Sequence, residues 1–183
     1  MAERDQKRWD QKWAGEGADR EPARLLVSHR EHLSGGIAVD LACGLGQNTR
    51  WLAANGYRAI GFDISFVALQ RANAAGLHEG LARHTLFVQY DLDRWSVPQH
   101  SIDLIAVFRF LDRRLFPHIE RALRPGGLLF YETRHTGVLM RQPDANRNYL
   151  LERGELQQRF RDWNILHHYE GQQNASLVAR KPH

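Results

Sequence analysis

One cysteine, three lysines, two methionines and no long apolar run mark out what this 183-residue chain is not. Cys43 alone rules out an intramolecular disulfide framework and any site built from several thiolates, and such usage suits a reducing compartment. No window approaches the ~20 apolar residues of a membrane span. The opening run Met1-Ala2-Glu3-Arg4-Asp5-Gln6-Lys7-Arg8 is charged with no apolar stretch behind it. The expectation is a soluble cytoplasmic protein with no membrane partner. Scarce lysine means that 22 of the 25 basic residues are arginine. Guanidinium groups suit bidentate recognition of carboxylates, phosphates and other oxyanions, although Arg-rich codon usage gives the same skew. The formal charge of +4 is dispersed, and no dense basic block marks a nucleic-acid footprint.

What is present is an ordinary globular composition, 43% hydrophobic and 25% charged, so a real core can be buried. The length predicts one domain over 1–183, with helices over 7–13 and 22–33 inside an N-terminal helical lid over 1–33 and a core over 34–183. Five strand-like runs, 37–43, 58–64, 85–90, 102–108 and 128–133, are apolar without strict alternation, as buried parallel strands are. Helical segments separate them, which is the pattern of an α/β domain. One helix carries Phe116, Ile119 and Leu123 on a face, Pro117 in its first turn, a Glu120 to Arg124 pair, and Pro125-Gly126-Gly127 as its stop. Runs 163–169 and 175–180 are joined too closely for a parallel crossover, so the last strand is expected to run antiparallel in a seven-stranded sheet. The polar stretch 137–152 reads as a long loop.

The chemistry concentrates at strand ends. Asp40-Leu41-Ala42-Cys43-Gly44-Leu45-Gly46 takes a strand into a glycine turn and then a helix, where the backbone can pass close to a ligand. Asp63 follows in Gly61-Phe62-Asp63-Ile64, at about the 20-residue interval that brings an acid to ribose hydroxyls. Asp91 and Leu92 end the third run. A pyrophosphate fits badly, because Thr49 stands where a third glycine is wanted and Asp40 sets a negative charge beside the anion. An ammonium near Asp40, a ribose near Asp63 and an adenine near Asp91 and Leu92 fit better. Blander roles remain open: Asp40 as a structural hydrogen-bond partner, Asp63 as a cap for a helix at Ser65, Asp91 as a turn acid, Trp9 and Trp13 as helix packing, and Cys43 as a buried filler.

On these residues, together with the Arg124-Pro125-Gly126-Gly127 turn and the closing hairpin, the chain resembles the class I S-adenosylmethionine-dependent methyltransferases. The resemblance implies a Rossmann-like, mostly parallel seven-stranded sheet with helices on both faces and S-adenosyl-L-methionine as cofactor. Ala42 stands where that family usually has glycine. The resemblance also implies cofactor contacts from Asp40, Ala42, Gly44, Gly46, Asp63, Ile64, Asp91, Leu92 and Phe108, with Trp13 closing over the methionine end. Arg8-Trp9-Asp10-Gln11-Lys12-Trp13 and the segment from Asn148 to Leu156 look like the TehB-like, tellurite-resistance branch, which methylates small thiol or chalcogen nucleophiles.

The acceptor side is expected from Phe108, Arg109, Phe110, Arg113, Arg134, His135 and Arg141, whose cations suit an anionic small molecule. Arg109, Arg134 and His135 are the candidate catalytic residues, His135 being the nearby group able to take a proton near neutral pH. The reaction is an in-line displacement needing no metal, and no histidine spacing offers a metal site: His167 and His168 are adjacent on a strand. Two rivals stand beside this reading. A nucleic-acid methyltransferase is favoured by a pI near 9.6, but Val107-Phe108-Arg109-Phe110 lacks the Pro-Pro-aromatic motif used to receive an extruded base. A noncatalytic S-adenosylmethionine-binding regulatory domain would share the fold.

Overall fold

Among the described residues, the glycine-rich first half forms three parallel strands and four α-helices. The computed structural model describes residues 2–15 and 21–183, and the chain divides into two compact units, Met1–Ser96 and Val97–His183. In the first unit α1 is Ala2–Gly15, α2 Arg24–Ser28, β1 Gly36–Leu41, α3 Gln47–Ala54, β2 Tyr57–Asp63, α4 Phe66–His78 and β3 Thr85–Gln89. β1 pairs in parallel with β2 from Gly36 opposite Tyr57 to Leu41 opposite Phe62, and β2 pairs in parallel with β3. Ala38, Val39 and Leu41 are fully buried, which is why β1 reads as an unbroken apolar run. α4 starts where the Ser65 hydroxyl accepts the Ala68 N–H at 3.1 Å, and it buries Ala68, Leu69, Ala72 and Gly76 along one helical face.

In the second unit β4 is Ile102–Phe108, α5 Phe116–Ala122, β5 Leu123–Arg134, α6 Glu155–Arg159, β6 Asn164–Glu170 and β7 Asn174–Arg180. β4 and β5 are parallel, while β7 runs antiparallel to both β5 and β6. The seven strands form one mixed, mostly parallel sheet in the order β3-β2-β1-β4-β5-β7-β6, the Rossmann-like arrangement in which β7 is the reversed strand.

Two local expectations are corrected. α5 ends at Ala122, one residue before the last apolar position of its pattern, and Leu123 is already extended at φ −65°, ψ 134°. Arg124 precedes Pro125, whose ring disfavours helical backbone at that position. The Glu120 to Arg124 pair therefore does not form: Arg124 meets Asp103 at 2.7 Å and Glu120 meets Arg159 at 2.8 Å. The segment 137–152 is also not featureless. It holds short 3-10 turns at Thr136–Met140 and Arg147–Tyr149, and buried Leu150 and Leu151 pin its far end. Among the described residues no helix is long and apolar enough to cross a membrane, and no group of three or more His, Cys, Asp or Glu is placed to hold a metal ion.

Candidate functional site

The turn after β1 is built on left-handed backbone. Gly44 has φ 54° and Gly46 φ 72°, as their residue type allows, but Ala42 also sits at φ 57°. A side chain in that region costs about 1 kcal/mol. The two glycines serve different ends. A Cβ on Gly46 would lie 2.5 Å from the Phe87 ring and 2.8 Å from Ala72, so that position is closed by packing of the unit itself. A Cβ on Gly44 would meet the Trp13 ring at 3.0 Å, and the Gly44 N–H donates to Asp63 Oδ2 at 2.7 Å.

Asp63 is the hinge of this arrangement. Its Oδ1 accepts the Ser65 N–H at 2.9 Å, and the Ile64 N–H acts on the same carboxylate, so backbone donors hold it while lone pairs remain. Burial pushes its carboxyl up and the N–H groups of Ser65, Gly44 and Ile64 pull it back. Asp40 is 2% exposed, accepts from the Thr49 hydroxyl at 2.7 Å, and is pushed up to about 7, chiefly by burial and also by the negative charge of Asp63. Two carboxylates therefore crowd one glycine turn. That charge suits a cation and repels a pyrophosphate. Ile64 follows Asp63, and its carbonyl accepts from Gln89 Nε2 at 3.1 Å, while the Tyr90 N–H donates to the Asp63 carbonyl at 2.9 Å. These bonds hold the end of β3 against the end of β2. Asp91 then caps a short 3-10 turn through the Asp93 N–H at 3.1 Å, and Leu92 is buried. The Cys43 thiol is buried and pushed well up, so it is an inert filler.

Trp13 packs with Leu45 and Ala68, its ring against Gly44. Sequence reasoning found this residue but not the one that seats its helix. Asp10 Oδ1 accepts from the Ser65 hydroxyl at 2.6 Å and from the Val67 N–H at 3.1 Å, and Arg71 Nη1 donates to the Trp13 carbonyl at 2.6 Å. α1 is thereby tied to the start of α4. Arg50, also overlooked, is 4% exposed and braces the glycine turn, donating to the Leu45 carbonyl at 2.7 Å and pairing with Glu79 at 3.0 Å.

In the second unit the candidates divide. Phe108 closes β4 and is 8% exposed, and Arg109 after it is exposed with left-handed backbone at φ 57°. Arg134 is exposed and donates to Gln142 Oε1 at 2.6 Å. Arg113 is not free for an acceptor, because it forks onto Glu155 at 2.6 and 2.7 Å beside an open depression of about 530 Å³ that it lines with Arg147, Arg153 and Gln158. His135 is corrected as a proton acceptor. It has no exposed surface, its Nδ1 accepts the Gly137 N–H at 2.9 Å, and Nε2 lies 3.0 Å from the Gly171 carbonyl. That network fixes the proton on Nε2 and occupies both nitrogens. His135 is a pin between β5 and the β6–β7 hairpin.

The residue missed here is Glu132. It is half-buried on β5, opposite Phe108 on β4 and Ser176 on β7, and among the described residues no hydrogen bond or ion pair closes on its carboxylate.

Residues 38–127 match the family model described as a methyltransferase domain. Over that segment the chain is similar to methyltransferase domains, and its fold is the one seen in S-adenosylmethionine-dependent methyltransferases. No curated protein matches the chain significantly in sequence. Among solved structures, an S-adenosylmethionine-dependent methyltransferase from Mesorhizobium loti shares 24% identity at a TM-score of 0.68, covering 87% of this chain and 98% of that one. TehB from Haemophilus influenzae shares 17% at 0.75, with 96% of this chain covered and 66% of TehB. The [4+2]-cyclase SpnF shares 18% at 0.76, covering 100% and 96%. At these identities the likeness is one of fold. TehB is one of many structures that this chain matches in fold, so no single branch is selected.

Proposed function

We propose that the chain acts as a single methyltransferase domain over 1–183, taking its methyl group from S-adenosylmethionine and delivering it to a small soft or anionic acceptor. The observation that carries this reading is Asp63: a carboxylate held in place by backbone N–H groups of Gly44 and Ser65, with acceptor capacity left for a ribose diol. Asp40 supplies negative charge for the ammonium, and Asp91 and Leu92 supply the adenine end. Bound there, the cofactor brings an electrophilic methyl on a sulfonium. The residues around it orient, desolvate and select.

Thiols and chalcogen oxyanions suit the acceptor side because Arg109 and Arg134 carry the guanidinium groups and Phe108 and Phe110 the aromatic surface. A cytoplasmic setting belongs to the same reading and rests on the lone, buried Cys43. A second reading has a specific observation in its favour: the fold is shared with a cyclase, so a domain of this shape does not by itself transfer methyl groups. Calorimetry with S-adenosylhomocysteine and NADH, followed by labelled S-adenosylmethionine against an acceptor panel, separates these outcomes. Saturable S-adenosylhomocysteine binding with methyl transfer supports the proposal. NADH binding in its place overturns the cofactor, and binding without any transfer favours the second reading.

A further inference from the structure

We infer that Glu132 is the proton acceptor of the reaction, and that the methyl acceptor is a small anion bearing a dissociable O–H, N–H or S–H. This rests on the methyltransferase reading above and narrows its substrate class. With both nitrogens of His135 engaged inside the protein, the base must come from elsewhere on the acceptor side. Glu132 lies three residues earlier on β5, near the carboxyl end of a strand in a largely parallel sheet, where ligands of such sheets bind.

Side chains alternate along a strand, so Glu132 and Arg134 share one face of β5, while Tyr131, Thr133 and His135 take the other. On β4 the partner of Glu132 is Phe108, and the Arg109 N–H that follows donates to the Glu132 carbonyl at 2.8 Å. On β7 the directly opposed residue is Ser176, which shares the face of Glu132, and Ser176 Oγ lies 3.1 Å from His167 Nε2 on β6. The groups around Glu132 are therefore Arg109, Arg134 and the Ser176–His167 pair.

A half-buried carboxylate with arginines to either side ordinarily closes an ion pair. Here none forms: Arg134 turns to Gln142, and no hydrogen bond or ion pair holds the Arg109 guanidinium among the described residues. Arg109 is also held in left-handed backbone, a strain that belongs at sites where a side chain must be aimed. Burial raises the Glu132 carboxyl above the ordinary glutamate range and the charge of Arg109 pulls it back. The arrangement leaves one cation for the anionic group of an acceptor and one carboxylate for its proton.

The step balances. The X–H bond of the acceptor breaks, its electron pair forms the bond to the methyl carbon, the S–CH3 pair stays on sulfur, and the proton passes to Glu132 and then to water.

The test uses the full chain with 4-hydroxybenzoate, anthranilate and 3-mercaptopropionate as protic anions and selenite as the acceptor that needs no base. Transfer to at least one protic anion is expected. E132Q should lower kcat about 100-fold or more while S-adenosylhomocysteine affinity stays within about twofold. The wild-type rate should fall as pH drops through the Glu132 titration. That limb should vanish in E132Q, survive displaced in E132D, and persist in H167Q. A readout independent of turnover is carbon NMR of glutamate-labelled protein: the carboxyl resonance missing from E132Q should titrate above the ordinary glutamate range. Transfer to selenite alone, no transfer to any protic anion by a protein that binds S-adenosylhomocysteine, or an E132Q protein with the wild-type rate and pH profile overturns the inference. Failure of the wild type to bind S-adenosylhomocysteine fails the methyltransferase reading instead. Should E132Q not fold, the displaced limb of E132D decides.

Discussion

The Ser65 hydroxyl lies 2.6 Å from the Asp10 carboxylate, and the Ser65 backbone N–H donates to Asp63 at 2.9 Å. One serine thus joins the N-terminal helix to the carboxylate proposed to hold the ribose, and each of the following expectations probes a part of that linkage.

Asp10→Ala removes the acceptor for Ser65 Oγ and the Val67 N–H, a capping loss of about 1–2 kcal/mol. The loss falls on the docking of α1, because the remainder of the unit keeps its bonds. Hydrogen exchange should show faster exchange across α1 with β1 and β2 unchanged. Equal protection of α1 in the variant would remove Asp10 from this role. The Asp63 carboxyl, raised in part by the charge of Asp10, should also titrate lower in the variant.

Asp63→Ala should weaken S-adenosylhomocysteine binding by about 1–3 kcal/mol, the worth of a hydrogen bond to a charged group. The Gly44 N–H loses its acceptor as well, so Asp63→Asn, which keeps one oxygen, should fall between. Titration calorimetry checks both, and unchanged affinity in folded protein would take Asp63 out of the site.

Asp40 carries a pH signature. Its carboxyl titrates near 7 in the folded protein against 3.8 in the unfolded chain. Between those values the folded state holds a proton that the unfolded state has lost, so stability should decline as pH rises from about 4 to about 7 and level off above. Urea midpoints across that range test it, and Asp40→Asn should flatten the slope. A cationic ammonium favours the ionised form. S-adenosylhomocysteine should therefore bind more tightly as pH rises through 7 and release protons near neutrality, visible as a buffer-dependent binding enthalpy.

Ala42 and Gly46 make opposite predictions within one turn. Ala42→Gly relieves left-handed strain and should be neutral or stabilising by up to about 1 kcal/mol, the relief being offset by the greater freedom of the unfolded chain. Gly46→Ala drives a methyl to within 2.5 Å of Phe87 and should cost about 1–3 kcal/mol. Thermal unfolding of the two variants gives the comparison.

The strands were legible because buried parallel strands carry unbroken apolar runs, and β4 matches its expected limits, Ile102–Phe108. The end of α5 was not. Leu123 continues the helical stripe and is equally buried as the first residue of β5, so periodicity could not separate the two. Strand-end residues such as Asp40 and Asp63 stood out through their spacing from the glycines. Asp10 did not, because its partner Ser65 is 55 residues away. His135 misled for a related reason: a histidine at a strand end looks the same in sequence whether it faces solvent or is locked. Its lock is a carbonyl 36 residues on, at Gly171. Glu132 was hidden by the apolar run around it.

The strand order β5-β7-β6 also dictates an order of assembly. β6 is synthesised before β7, yet it sits at the edge of the sheet and pairs with β7. It has nowhere to dock until β7 follows it, and the hairpin must arrive as a unit. Until then β5 shows an open row of backbone donors and acceptors from Leu128 to Arg134, the template on which foreign strands add. A nascent chain paused before Asn174 exposes that edge, so the final hairpin covers an aggregation-prone template as well as completing the sheet.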